Sequence, residues 1–174
     1  FKNRYWSSKE LKFKKKSRTI WQLFSTLNLY KKDLHITGRS INSQIMKNNS
    51  LREIAQKIRE AKSILLFPHV NLDGDALGSC VALCKALRSL KKEAWILLED
   101  DIPANLRFLD KGYCTWEKEK VLHPDICMCV DCGSEDRFEK RAEVFHSADT
   151  TICVDHHRTT GSQWDYNYID PEEA

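Results

Sequence analysis

Ile64-Leu65-Leu66-Phe67-Pro68-His69-Val70-Asn71-Leu72-Asp73-Gly74-Asp75 changes character at its midpoint. An apolar run gives way to an imidazole and two carboxylates. The same change occurs twice more. Asp131 follows Ile126-Cys127-Met128-Cys129-Val130, and Asp155-His156-His157 follows Thr151-Ile152-Cys153-Val154. Apolar runs of this length, rich in branched side chains, read as buried strands. Polar residues at their ends would collect along one edge of a parallel sheet, the edge where open α/β sheets bind ligands. Three such runs in order predict a fold and a site together.

The intervening segments agree. A helix over about 75–90 would carry Leu77, Cys80, Val81, Cys84, Leu87 and Leu90 on a broad apolar face. Residues 94–98 read as a further strand, followed by the acidic turn Glu99-Asp100-Asp101. Short helices are expected over 103–109 and 137–145. Ahead of the first strand, Ser50-Leu51-Arg52-Glu53 has the form of a capping box. Leu51, Ile54, Ala55, Ile58 and Ala61 then form one helical stripe. Alternating strands and helices predict an α/β fold, a parallel β-sheet sandwiched by helices.

The net charge of +3 conceals an asymmetry. Residues 1–45 hold 11 Lys/Arg against 2 Asp/Glu, whereas residues 46–174 hold 17 against 23. The basic stretch runs through Lys12, Lys14, Lys15, Lys16 and Arg18, and its apolar residues keep no sustained period. It is expected to be a disordered extension or translated upstream sequence, with Met46 as the native start of a domain over 46–174. A nucleic-acid arm and a targeting segment are the functional alternatives. In the acidic body, carboxylates gathered at one site would be offset by bound divalent cations.

No apolar run approaches the roughly 18 residues that a membrane span needs. Seven cysteines without a secretory signal read as free thiols in a reducing, cytoplasmic setting. Cys127, Cys129 and Cys132 invite a zinc reading. No second paired-cysteine motif completes four ligands, so small buried apolar thiols are the expectation.

The three clusters carry specific chemistry. Asp73 and Asp75 flank Gly74, and two carboxylates this close repel unless cations lie between them or one is protonated. His69 adds a nitrogen donor from the same loop. Taken alone, this stretch could be an Asx turn capping a helix. Asp131, at the end of a central strand, could bridge two metals roughly 3.5–4 Å apart. Adjacent His156 and His157 point in different directions, so one can bind metal while the other faces substrate. Asp155 could orient an imidazole or ligate directly. Mixed imidazole and carboxylate donors suit Mn²⁺, Fe²⁺ or Zn²⁺.

Over about residues 50–174 the chain resembles the DHH phosphoesterase superfamily. His69-Val70-Asn71-Leu72-Asp73-Gly74-Asp75-Ala76-Leu77-Gly78-Ser79, Val130-Asp131-Cys132 and Val154-Asp155-His156-His157-Arg158-Thr159 match its first three motifs. Asp-Gly-Asp-Ala followed by Gly-Ser is similar to the bacterial nanoRNase/pAp phosphatase group. Leu72 stands where proline is usual, and Thr160 where asparagine is common. The fourth motif and the DHH-associated domain, which supplies a substrate clamp, are absent, so the chain reads as the incomplete N-terminal part of a longer enzyme.

The resemblance implies a Rossmann-like three-layer domain and two divalent metal ions, Mn²⁺ by preference. His69, Asp73 and Asp131 would hold one ion; Asp75, Asp131 and His156 would hold the other. His157 would contact the phosphate or protonate the leaving group, with Asp155 beside it. Ser79 and Arg158 are further candidates for phosphate contact. Implied substrates are short RNA oligonucleotides and 3′-phosphoadenosine 5′-phosphate (pAp). A homodimer of the full-length parent stays open, and this chain alone could be inactive. Cyclic-dinucleotide hydrolysis, pyrophosphate hydrolysis and a catalytically incomplete nucleotide- or nucleic-acid-binding module are the alternatives.

Overall fold

A computed structural model describes residues 22–23, 26–27, 48–161 and 163–173. The first helix, α1 (Leu51–Glu60), opens on the expected capping box. The Ser50 hydroxyl accepts from the Glu53 amide, and Glu53 accepts from the Ser50 amide at 2.7 Å. Two donors that a helix start leaves free are thereby satisfied. Ile54, Ala55 and Ile58 form the buried stripe.

Six parallel strands follow: β1 (Ser63–Phe67), β2 (Glu93–Leu97), β3 (Cys114–Thr115), β4 (Ile126–Val130), β5 (Thr150–Asp155) and β6 (Tyr166–Ile169). Their order across the sheet is β3-β2-β1-β4-β5-β6. Succession reverses between β1 and β4, and the carboxyl ends of strands flanking such a switch point leave a crevice for ligands. The long helix α2 (Gly74–Ser89) returns the chain from β1 to β2. Both central strands are buried, which is why they read as unbroken apolar runs and not as alternation.

Each face of the sheet has its own core. Ile64, Leu66, Ile96, Met128 and Ile152 pack with α1 and α2 on one side. Leu65, Phe67, Cys127, Cys129 and Cys153 face Phe138, Phe145 and Trp164 on the other. Phe67, Phe138 and Phe145 stack at ring-centroid distances of 4.9–5.8 Å. The expected three-layer α/β architecture is therefore present.

Several local expectations change. The stretch read as a helix over 137–145 is a 3-10 helix, Glu135–Arg141, running into the short α3 (Ala142–His146). Phe138 leaves helical geometry at φ −148°, turning its ring into the aromatic cluster. Only Arg107–Leu109 of the expected 103–109 helix is helical, as a single 3-10 turn. Strands β3 and β6 had no counterpart in the reading. Edge strand β6 alternates half-buried and buried residues. Its outer backbone groups are taken by Asn48 and Asn49, whose side-chain oxygens accept from the Ile169 and Asn167 amides at 3.0 Å each. Side chains thus blunt an edge that would otherwise template pairing.

The expected disordered extension over 1–45 lies outside the described residues except at four positions. Gln22, Leu23, Thr26 and Leu27 are helical, and Leu23 and Leu27 are buried in the α1/α2 core. Arg59 of α1 donates to the Thr26 carbonyl at 3.1 Å. At these four positions the chain packs. The expected start at Met46 lies outside the described residues.

Candidate metal centre

The three clusters converge at the carboxyl ends of β1, β4 and β5. Among the described residues, two groups of side chains have ligand atoms mutually within 4.8 Å, and they share Asp131: His69 with Asp73, and Asp155 with His156 and His157.

His69 follows β1 after Pro68. Its Nδ1 lies 2.6 Å from the Val70 carbonyl. A carbonyl only accepts, so Nδ1 carries the proton and the Nε2 lone pair faces inward, the tautomer of a metal-binding histidine. Nε2 is 3.9 Å from Asp73 Oδ2 and 4.0 Å from Asp131 Oδ2. These gaps are too long for hydrogen bonds. They leave space between the donors that a cation could take, held by His69, Asp73 and Asp131.

Asp73 does two jobs. Its Oδ1 caps α2, accepting from the Asp75 and Ala76 amides at 2.9 Å each, while Oδ2 stays turned to His69. The capping alternative and the ligand reading therefore coexist in one carboxylate.

Asp131 sits at the centre. It follows β4 in the left-handed region at φ 56°, which aspartate tolerates better than most residues. Its amide donates to the Val154 carbonyl at 3.0 Å, pinning the turn to β5. The residue is 8% exposed. His156 Nε2 stands 3.1 Å from Oδ1, yet that buried oxygen accepts no hydrogen bond. Burial, then the nearby charges of Asp75, Asp155 and Asp73, push its carboxyl up to about 7, against a smaller opposing pull from His157. An orphaned oxygen on a carboxylate that resists ionisation calls for a cation.

Asp155 differs throughout. Its Oδ1 accepts from the His156 amide and from His157 Nδ1, each at 2.8 Å. Its Oδ2 accepts from the Thr160 hydroxyl. The carboxylate is thus satisfied within the protein and fixes the His157 ring. Burial pulls the His157 pKa down, but the Asp155 hydrogen bond and the charges of Asp155 and Asp131 outweigh it, leaving a net rise. The His157 side chain is 50% exposed, so its second nitrogen can meet a substrate.

The remaining candidates fall into place unevenly. Asp75 lies outside both groups, and its Oδ1 accepts from the Ser79 hydroxyl at 3.4 Å. Its charge is still close enough to act on Asp131. Ser79 is buried at the sixth position of α2, not at the helix start, and faces Asp75. Arg158 is exposed in the turn after His157. Leu72, in place of the usual proline, anchors the loop by entering the α1/α2 core.

Reading residues singly missed Thr160 and Gly133. Thr160, standing where asparagine is common, holds Asp155. A Cβ on Gly133 would lie 2.0 Å from Thr160 Oγ1 and 2.6 Å from Asp155 Oδ2, so glycine alone fits behind the pair. The cysteines behave as expected of apolar fillers: all seven are free and buried. Burial pushes Cys132 up to about 12, and no cysteine joins a potential metal group among the described residues.

The donor set, the reversal point and the order of motifs together describe a known kind of domain. The family model for the DHH family, N-terminal domain, matches residues 63–174. The chain belongs to the DHH family. Among DHH relatives, a Thermus thermophilus protein named bifunctional oligoribonuclease and PAP phosphatase NrnA is 30% identical over 126 residues, 71% of this chain and 37% of its own length. A Mycoplasma pneumoniae protein of the same name is 23% identical over 138 residues, 74% of this chain and 43% of its own. The chain therefore spans about two fifths of the length of these relatives. A crystal structure of an exopolyphosphatase-related protein from Bacteroides fragilis shares the fold, with a TM-score of 0.63 at 20% identity. That alignment covers 69% of this chain and 38% of the other.

Proposed function

We propose that this chain carries the metal-binding part of a phosphoester hydrolase acting on short RNA oligonucleotides and on the 3′-phosphate of pAp. Asp131 carries the reading. It is a buried carboxylate at the reversal point, with one oxygen that accepts no hydrogen bond, standing between imidazoles that follow two different strands. The donors fit divalent cations of the Mn²⁺ type. His69, Asp73 and Asp131 would hold one, and Asp131 and His156 the second, with Asp75 joining once it turns from Ser79. Such a pair, when bound, stabilises the attacking and leaving oxygens of an in-line displacement at phosphorus.

The protein's own groups do the rest. Asp155 holds the Nδ1 proton of His157, leaving Nε2 on the exposed side to give a proton to the departing oxygen. Arg158, next in sequence and exposed, offers positive charge to a substrate phosphate. The names of the Thermus and Mycoplasma relatives support the substrate class. A cytoplasmic setting belongs to the same proposal, since seven unpaired thiols suit a reducing compartment.

The test is Mn²⁺-dependent turnover of pAp and of a short RNA oligomer by the protein extended to the length of its relatives. Hydrolysis that is lost in Asp131→Asn supports the reading. A folded, Mn²⁺-loaded protein that cleaves neither compound refutes it.

A further inference from the structure

Arg141 is among the largest fully buried side chains of the described residues, at 2% exposure, and every arm of its guanidinium is engaged. Nη1 donates to the Leu97 carbonyl at 2.7 Å, Nη2 to the Pro68 carbonyl at 2.9 Å, and Nε to Glu99 Oε2 at 3.3 Å. Leu97 ends β2, and Pro68 follows the end of β1. Buried carbonyls at strand ends need donors, and one planar fork serves two adjacent strands. The Pro68 carbonyl belongs to the peptide that leads into His69.

The other side of His69 is held by the same segment. The Val70 amide donates to the Arg137 carbonyl at 2.9 Å. The break at Phe138 interrupts the helical ladder there and lets that carbonyl face the loop. His69 is thus gripped before and after by Glu135–Arg141, a segment that leaves the Asp131 turn only four residues earlier. Nothing in this arrangement touches a ligand.

We infer that Arg141 is a positioning residue: by bridging the ends of β1 and β2 it sets the distance from His69 to Asp131, and hence the affinity of the first metal position. The inference rests on the metal-centre reading above. Lysine cannot replace it, because an ammonium lacks the rigid fork that reaches two carbonyls and a carboxylate at once. Groups that orient a metal ligand typically change metal affinity by about 10–100-fold when replaced.

The experiment titrates Mn²⁺ calorimetrically into this 174-residue chain, wild type and variants, and follows amide exchange at Val70 without metal. Arg141→Lys is expected to weaken the tightest Mn²⁺ site by about 10–100-fold and to speed Val70 exchange. Phe145→Leu, in the same aromatic core but beyond the Glu135–Arg141 segment, is the control for lost stability; it is expected to leave that affinity within about twofold. Equal affinity in wild type and Arg141→Lys overturns the inference, as does an equal loss in Phe145→Leu. Should Arg141→Lys not fold, Glu99→Gln decides: weakened Mn²⁺ binding supports the inference, and unchanged binding overturns it. A wild-type chain that binds no Mn²⁺ instead sinks the metal-centre reading itself.

Discussion

The two carboxylates that end neighbouring strands β4 and β5 are built for opposite purposes. Asp155 has donors on both oxygens, from the His156 amide, His157 and Thr160. Asp131 accepts no hydrogen bond on Oδ1, although His156 Nε2 lies 3.1 Å away, and the His69 nitrogen stays 4.0 Å from Oδ2. Both are buried. The saturated carboxylate orients an imidazole, whereas the unsaturated one waits for a positive charge. On the proposed reading, hydrogen-bond accounting separates the acid that would ligate from the one that would position, a distinction that the adjacent letters of a motif do not make.

Asp131→Asn should show the largest effect. Activity of the extended protein should fall by about 10³-fold, the scale of removing a group that stabilises developing charge. Stability without metal should move the other way. The raised carboxyl of Asp131 means that the native state holds more protons than the unfolded chain between about pH 4, the ordinary aspartate value, and about pH 7. Metal-free wild type should therefore lose stability as pH rises through that window, and Asp131→Asn should not share that loss. Chelator-treated thermal melts from pH 4 to 8 measure it. Parallel wild-type and variant curves would remove the buried-charge argument.

Asp155→Asn sharpens the contrast. It should reduce turnover by roughly 10²-fold through a misoriented His157, the scale of general acid catalysis. Mn²⁺ affinity should stay within about tenfold, the lower bound for losing an outer-shell partner. Abolished Mn²⁺ binding would make Asp155 a ligand and erase the difference between the two acids.

Gly133→Ala should act on the Asp155 side alone. The new methyl would overlap Thr160 and Asp155, destabilising the protein by about 1–3 kcal/mol by chemical denaturation. His157-dependent turnover should drop while the His69 position keeps its metal. Smallest of all, Ser79→Ala should leave turnover within about twofold, because a buried hydroxyl facing Asp75 has no path to substrate. A large rise in KM there would restore the phosphate contact expected from sequence.

Much of this was legible beforehand, for physical reasons. Strands β1, β4 and β5 are buried, so their apolar runs were unambiguous, and their last residues had to meet at one edge. The α1 capping box is local, and local signals survive in a sequence. Strand β3 is two residues long, and β6 carries the buried polar Asn167, so neither left a pattern. Thr160, Gly133 and Arg141 act through neighbours 5 to 73 positions away, and no spacing rule encodes such contacts. A buried arginine in an otherwise helical stretch was a visible oddity only after its burial was known. The stretch expected as a helix over 137–145 is helical on both sides of a break at Phe138, whose ring packs in the aromatic cluster, a long-range contact that helical periodicity does not encode.

The central claim is that Asp131 is shared between two cations. Crystals grown with Mn²⁺, measured at the manganese absorption edge, test it most directly. The account predicts two anomalous peaks about 3.5–4 Å apart on either side of the Asp131 carboxylate, one within bonding distance of His69 Nε2 and the other of His156 Nε2. A single peak held by Asp155, or manganese bound away from Asp131, would contradict it.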